Sequence, residues 1–197
     1  SQVPTDREVL ATSAPNVADF ESGSDGATPG GWTSPDGTPK LFKQAMTGGN
    51  AKSGTRVMAN TSADGSAVWY EVYIEYPLVK IGATYQGQAF VRSQISASSK
   101  FEIIIEGRTS GGTVVTSKST GILLHPEATE MRVGLALELV RNTWTLFGES
   151  ITVEDSSIVT IRLRIKSQRN TGADLLPQFD SASLKPAGRN SSFCGSG

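Results

Sequence analysis

Two stretches of this 197-residue chain place their side chains in a strict period of two, which a strand satisfies and a helix cannot. In Val68–Tyr76, Val68, Tyr70, Val72, Ile74 and Tyr76 share one face, while Trp69, Glu71, Tyr73 and Glu75 share the other. In Ile158–Lys166, Arg162, Arg164 and Lys166 stand opposite Ile161, Leu163 and Ile165. The two strands can be neighbours in one sheet. The basic row would then meet Glu71 and Glu75, at about 0.2–1 kcal/mol for each opposite-charge pair. The other reading of that row is a basic patch for an acidic glycan or an acidic protein surface.

The rest of the chain repeats the strand-and-turn pattern. Strands are expected at Val17–Phe20, Leu41–Met46, Thr55–Asn60, Thr84–Ile95, Lys100–Gly107, Val114–Lys118, Thr143–Phe147 and Leu175–Lys185. Gly111, Gly112 and Thr113 form a hairpin turn into Val114. Met131–Val140 has the composition of a helix, but its neighbours are strands and it contains Gly134, so a strand is expected there too. About ten strands with Gly-rich turns, and no repeat of fixed period, make this an all-β chain. The expected architecture is a single jelly-roll β-sandwich over residues 16–186, with an extended N-terminal arm at 1–15 and a short C-terminal tail at 187–197.

The two ends of that domain are expected to meet. Asn16–Trp32 runs from a strand carrying Val17 and Phe20, through Glu21, into a Gly/Ser/Asp/Pro loop that lands on Trp32. Leu176–Leu184 surrounds Asp180 with Phe179, Ala182 and Leu184. Closing the sandwich brings the two segments together, Glu21 beside Asp180, with Phe20 and Phe179 in one core.

Composition removes several classes of function. A net charge of −1 supplies no field for a phosphate backbone, so no nucleic-acid partner is expected. No apolar run approaches the roughly 18 residues of a membrane span, and the first sixteen residues show no basic-then-apolar signal pattern. The single cysteine, Cys194, rules out an internal disulfide and a thiolate metal site. The single histidine, His125, sits beside Pro126 in a loop, and there is no GxSxG, HExxH, P-loop or GxGxxG after a strand. No enzymatic activity is expected.

Several pieces, in order, carry a resemblance. They are Asn16 with Phe20-Glu21-Ser22-Gly23, Trp32 after Pro29-Gly30-Gly31, Ala51-Lys52-Ser53-Gly54-Thr55, Gly82-Ala83-Thr84-Tyr85, the Trp144 segment, and Phe179-Asp180-Ser181-Ala182-Ser183-Leu184. Together they resemble the carbohydrate-binding-module-like, galactose-binding type of jelly roll. That resemblance implies a non-catalytic sandwich, often with one structural calcium ion near the chain ends. Its ligands would be Glu21 and Asp180, with carbonyl oxygens around Lys52 and Ser53; calcium takes six to eight oxygens. Ser181 stands where a second acid is common, and Lys52 where a histidine is common. The alternative is a hydrogen-bonded carboxylate corner without metal.

Modules of this fold hold glycans against exposed aromatic rings. Trp32 and Trp144 match positions where the family packs its core, and Tyr85 also reads as core. That leaves Trp69 and Tyr73, flanked by Glu71 and Glu75 and about 13 Å apart along one strand. They would contact successive sugars, or the face packs under a loop or a neighbouring chain.

Two functions follow from this. The leading expectation is a structural assembly protein, a virion component such as a phage capsid decoration, cement or tail protein. Its arm and tail would contact neighbouring subunits, either a homo-oligomer or capsid and tail proteins. The alternative is a polysaccharide-binding, carbohydrate-binding module of a secreted glycan-degrading enzyme. The expected location is the virion or the extracellular space.

Overall fold

In the computed structural model, residues 17–18, 20, 28, 31–35, 43–46, 51–52, 56–60, 68–92, 100–124, 137–138, 143–168 and 178–187 are described. Among them there is no helix. The strands are β1 (Val17–Ala18), β2 (Lys43–Met46), β3 (Arg56–Ala59), β4 (Trp69–Tyr76), β5 (Thr84–Arg92) and β6 (Lys100–Arg108). They continue with β7 (Val114–Ser119), β8 (Leu123–Leu124), β9 (Leu137–Glu138), β10 (Thr145–Thr152), β11 (Thr160–Gln168) and β12 (Gln178–Pro186).

These strands form two sheets. One runs β10-β5-β12-β3-β2, with β1 also on β12; the other runs β4-β11-β6-β8-β9, with β7 also on β6. Each central strand has two short partners along one side. β12 meets β3 at Gln178 and Phe179, then β1 at Ala182 and Ser183. β6 meets β8 at Lys100 and Phe101, then β7 from Ile104 onward. The first strand therefore closes against the last, as the sequence pattern requires of a sandwich.

Alternation decides what lies between the sheets. Along β5, Tyr85, Gly87, Ala89 and Val91 are buried and the intervening residues are not, until Arg92. β6 and β11 alternate in the same way and contribute Phe101, Ile103, Ile105, Ile161, Leu163 and Ile165. Each such side chain gains roughly 1.5–3 kcal/mol on full burial. Phe20 and Phe179 belong to one core, Phe179 edge-on to Phe101 at 5.0 Å and Phe20 against Trp32 at 5.8 Å. Gly87 sets the spacing of the layers, since a Cβ there would lie 2.6 Å from Leu163 Cδ1. Tyr85 is core, and its hydroxyl accepts the Lys80 N–H (2.9 Å) and donates to Leu78 O (3.3 Å).

The structure corrects the strand reading in three places and one core assignment. β4 begins at Trp69, and Val68 is exposed instead of core-facing. β10 continues past Phe147 to Thr152, although Gly148 and Glu149 interrupt the apolar pattern. An edge strand tolerates this, because one flank has no strand partner among the described residues and its outward positions need no burial. Leu123–Leu124, outside the expected strands, pairs with β6. Trp144 is half-buried and outside the core cluster: Thr145 pairs with the core residue Val91, so its neighbour falls on the outer side. Of Met131–Val140, Leu137 and Glu138 form a strand parallel to β8, and the remainder lies outside the described residues. His125 and Cys194 also lie outside them.

β12 carries one irregularity. Asp180 pairs with Phe90 but Ser183 pairs with Gln88, so one extra residue is inserted and the strand bulges. Ser181 takes the left-handed conformation there (φ 50°) and gives its N–H to Asp180 Oδ1 (2.8 Å).

Candidate functional site

The strongest concentration of chemistry lies on the outer face of the β4–β11–β6 sheet. β11 is flanked on both sides in full register, so its outward residues have neighbours left and right. Arg162 stands between Glu75 and Glu106, Arg164 between Tyr73 and Ile104, and Lys166 between Glu71 and Glu102. Gln168 ends the ladder between Trp69 and Lys100. Trp69, Tyr73, Glu71 and Glu75 are thus brought onto one face, together with the basic row that faces them.

The cations do two jobs at once. Arg162 binds the Glu75 carboxylate (2.8 Å) while its guanidinium lies 3.7 Å from the centre of the Tyr73 ring. Arg164 grips Glu71 with two N–H groups, at 2.7 and 2.8 Å, and reaches Glu106 at 3.5 Å. Lys166 lies 3.5 Å from Glu102 and 5.2 Å from the Trp69 ring centre. Glu106, almost fully buried, is also held by Arg108 at 2.6 Å. A bidentate guanidinium–carboxylate pair fixes orientation as well as charge. The Glu71 hydrogen bond, then its charge and that of Glu106, raise the Arg164 pKa against the opposing effect of burial. Each cation–π contact adds about 0.5–1 kcal/mol at a partly exposed site.

The result is a charge-balanced face on which two ring planes are pinned. One side of each ring is covered by its cation, so a bound sugar would lie against the other side or against the guanidinium plane. Glu102 and Glu106 are the members of this face that sequence reasoning missed. Their signal was present in the alternation of Lys100–Gly107, where 102, 104 and 106 share a face, but the apolar centre of the strand drew the reading to the core. The isolated pairing of Thr33 with Tyr73 (N to O 2.9 and 3.0 Å) lays the residues after Trp32 along the free side of β4.

The carboxylate corner is a different case. Asp180 is fully buried, and one of its oxygens accepts the Ser181 N–H. Lys52 is exposed and places its ammonium 4.6 Å from the ring centre of Phe90, the register partner of Asp180. Glu21 and Ser53 lie outside the described residues. The two described members supply one partly used carboxylate and an ammonium over the neighbouring Phe90 ring, whereas calcium takes six to eight oxygens. Among the described residues no group of three metal-ligating side chains occurs.

No protein-family model matches the chain, and no curated protein sequence does. Solved structures do match. A xylan-binding domain, CBM22-1 of Paenibacillus barcinonensis Xyn10C, is 14% identical at a TM-score of 0.51, over 87% of this chain and 93% of its own. The C-terminal family 22 carbohydrate-binding module of Clostridium thermocellum Xyn10B is 15% identical at 0.53, over 87% and 93%. The enzymatically active domain of tailspike protein 4 from bacteriophage CBA120 is 12% identical at 0.56, over 87% of this chain but 22% of that one. At these identities the likeness is one of fold. The chain has an all-β jelly-roll sandwich fold, the fold of these carbohydrate-binding modules.

Proposed function

We propose that this chain is a non-catalytic polysaccharide-binding domain that works as part of an extracellular or virion assembly. The observation that carries the reading is the β4–β11–β6 face: Trp69 and Tyr73 on one strand, each backed by a cation that is itself tied to a carboxylate. Fixed rings with matched donors and acceptors between them suit a hydroxyl-rich, uncharged ligand, because little conformational entropy is lost on binding. The similar solved modules include a xylan-binding domain, which supports the ligand class. Among the described residues no metal-ligating cluster accompanies this face.

The test is affinity electrophoresis against soluble neutral polysaccharides, xylan included. The expected result is retardation of the wild-type chain that falls at least tenfold in Trp69→Ala and in Tyr73→Ala. Retardation unchanged in both variants would overturn the assignment of this face.

A second observation supports the assembly half of the proposal. Among the described residues β7 and β10 end their sheets on the same flank of the sandwich, and β7 exposes Val114 and Val115. Open strand edges with exposed β-branched residues are covered in most proteins, and pairing with another subunit covers them. A bacteriophage tailspike domain among the fold neighbours fits that setting. Sedimentation should give a mass above the monomer that returns to the monomer in Val115→Lys. A monomeric wild type would remove self-assembly through this flank.

A further inference from the structure

The opposite outer face, over β5 and β10, has an entirely different charge pattern. Its outward residues are Gln86, Gln88 and Phe90 on β5 and Leu146, Gly148 and Ser150 on β10, paired in register. Leu146 is 44% exposed, and none of this strip is fully buried, whereas Val57, Ala59 and Asp180 toward β12 and β3 are. Gly148 keeps the strip low: a Cβ there would lie 2.5 Å from the Gly87 carbonyl oxygen and 2.6 Å from Gln88 Cβ. The Gln86 and Gln88 amides make no hydrogen bond among the described residues.

Among the described residues, the cations that border this strip have no carboxylate to match. Arg92, 4% exposed at its upper end, gives Nε (3.0 Å) and Nη2 (2.5 Å) to one neutral acceptor, Gln178 Oε1, and lies 4.7 Å from the Trp144 ring. Lys52 sits over Phe90. Lys185, exposed and opposite Gln86 in register, has no ion pair among the described residues. The described acids nearby do not answer them. Glu149 pairs with Gly87 and so falls on the core side, and Asp180 is buried with an oxygen on the Ser181 N–H. From Gln86 to Arg92 the strip is roughly 20 Å long.

We propose that this face is a second glycan-binding surface, specific for an acidic polysaccharide whose sugar rings rest on Phe90 and Leu146. Its hydroxyls pair with the Gln86 and Gln88 amides, and its carboxylates are drawn to Lys52 and Lys185, with Arg92 as a fixed positive charge behind them. An uncompensated cation attracts an anion over about a Debye length, and the free amides and apolar platform favour a sugar chain over an acidic protein surface. The inference extends the polysaccharide-binding reading but uses none of the residues of the first face, so the two can fail separately.

The experiment is calorimetric titration of the full chain with an oligogalacturonate, its methyl ester and a xylo-oligosaccharide of equal length. The oligogalacturonate is expected to bind, and to weaken at least tenfold in the K52E/K185E double variant and on methyl esterification. Trp69→Ala should leave that affinity within about twofold, as expected of surfaces that do not touch. Absence of oligogalacturonate binding overturns the proposal, as does binding that survives the double variant or disappears in Trp69→Ala. If wild type binds the xylo-oligosaccharide but not the acid, the second surface falls and the first stands. Capture of an acidic protein with no binding of the acid oligosaccharide also overturns it.

Discussion

Two arginines, one on each outer face of the sandwich, have opposite surroundings. Arg164 on β11 is partly exposed and meets two carboxylates, one of them by a two-pronged bond. Arg92 on β5 is nearly inaccessible and meets an amide and an indole. Their protonation responds accordingly: pairing raises the pKa of Arg164 against burial, while burial alone lowers that of Arg92. A strand pair with charges in register organises a face by itself. A face with charges out of register leaves them to find another partner, and that difference is the ground on which different ligands are proposed for the two faces.

The largest expected effect comes from breaking the organised face. Arg164→Ala strands Glu71 and the nearly buried Glu106, and should destabilise the chain by about 2 kcal/mol, reduced from the value for a fully buried pair by partial exposure. Equilibrium urea unfolding reads this directly. The same kind of change on the other face should have a much smaller effect. Arg92→Met removes a buried charge with no ionic partner among the described residues but strands the buried Gln178 Oε1, so relieved desolvation and lost hydrogen bonds offset to within about 1 kcal/mol. A loss as large as that of Arg164→Ala would show that Arg92 is structurally paired and break the comparison.

Much of this contrast was legible beforehand. The alternation at Val68–Tyr76 and Ile158–Lys166 gave both strands, their inward faces and the meeting of basic row with Glu71 and Glu75, because a half-buried strand has only one register that buries its apolar set. Phe20 and Phe179 were likewise readable as one core from their apolar neighbours. The second face was not readable. Thr84–Arg92 and Thr145–Thr152 show mixed polar residues with no periodic charge, and nothing in either stretch says that they are neighbours. Glu106 was hidden for a related reason. Its value comes from Arg164, 58 residues away, and from a fold that places it under two guanidinium groups.

Smaller effects refine the picture. Lys166→Gln loses a long, partly exposed contact with Glu102 and a distant ring contact, and should cost no more than about 0.5 kcal/mol in the same unfolding assay. Smallest of all is the effect of metal. With Lys52 beside the Asp180 corner, adding calcium or a chelator should leave the melting temperature unchanged, whereas a tight native-state ligand would raise it by mass action. A clear rise with calcium would place an ion there despite the ammonium.

Where a ligand touches the sandwich is the most direct test of all. A titration of the labelled chain with xylo-oligosaccharide, followed by NMR on the Trp69 indole and the Arg162 and Arg164 Nε–H signals, reports on one face at single-residue resolution. The account predicts saturating shifts of those signals, with the β5–β10 strip silent. Shifts confined to Gln86, Gln88 and Trp144, or no shift at millimolar sugar, would contradict it.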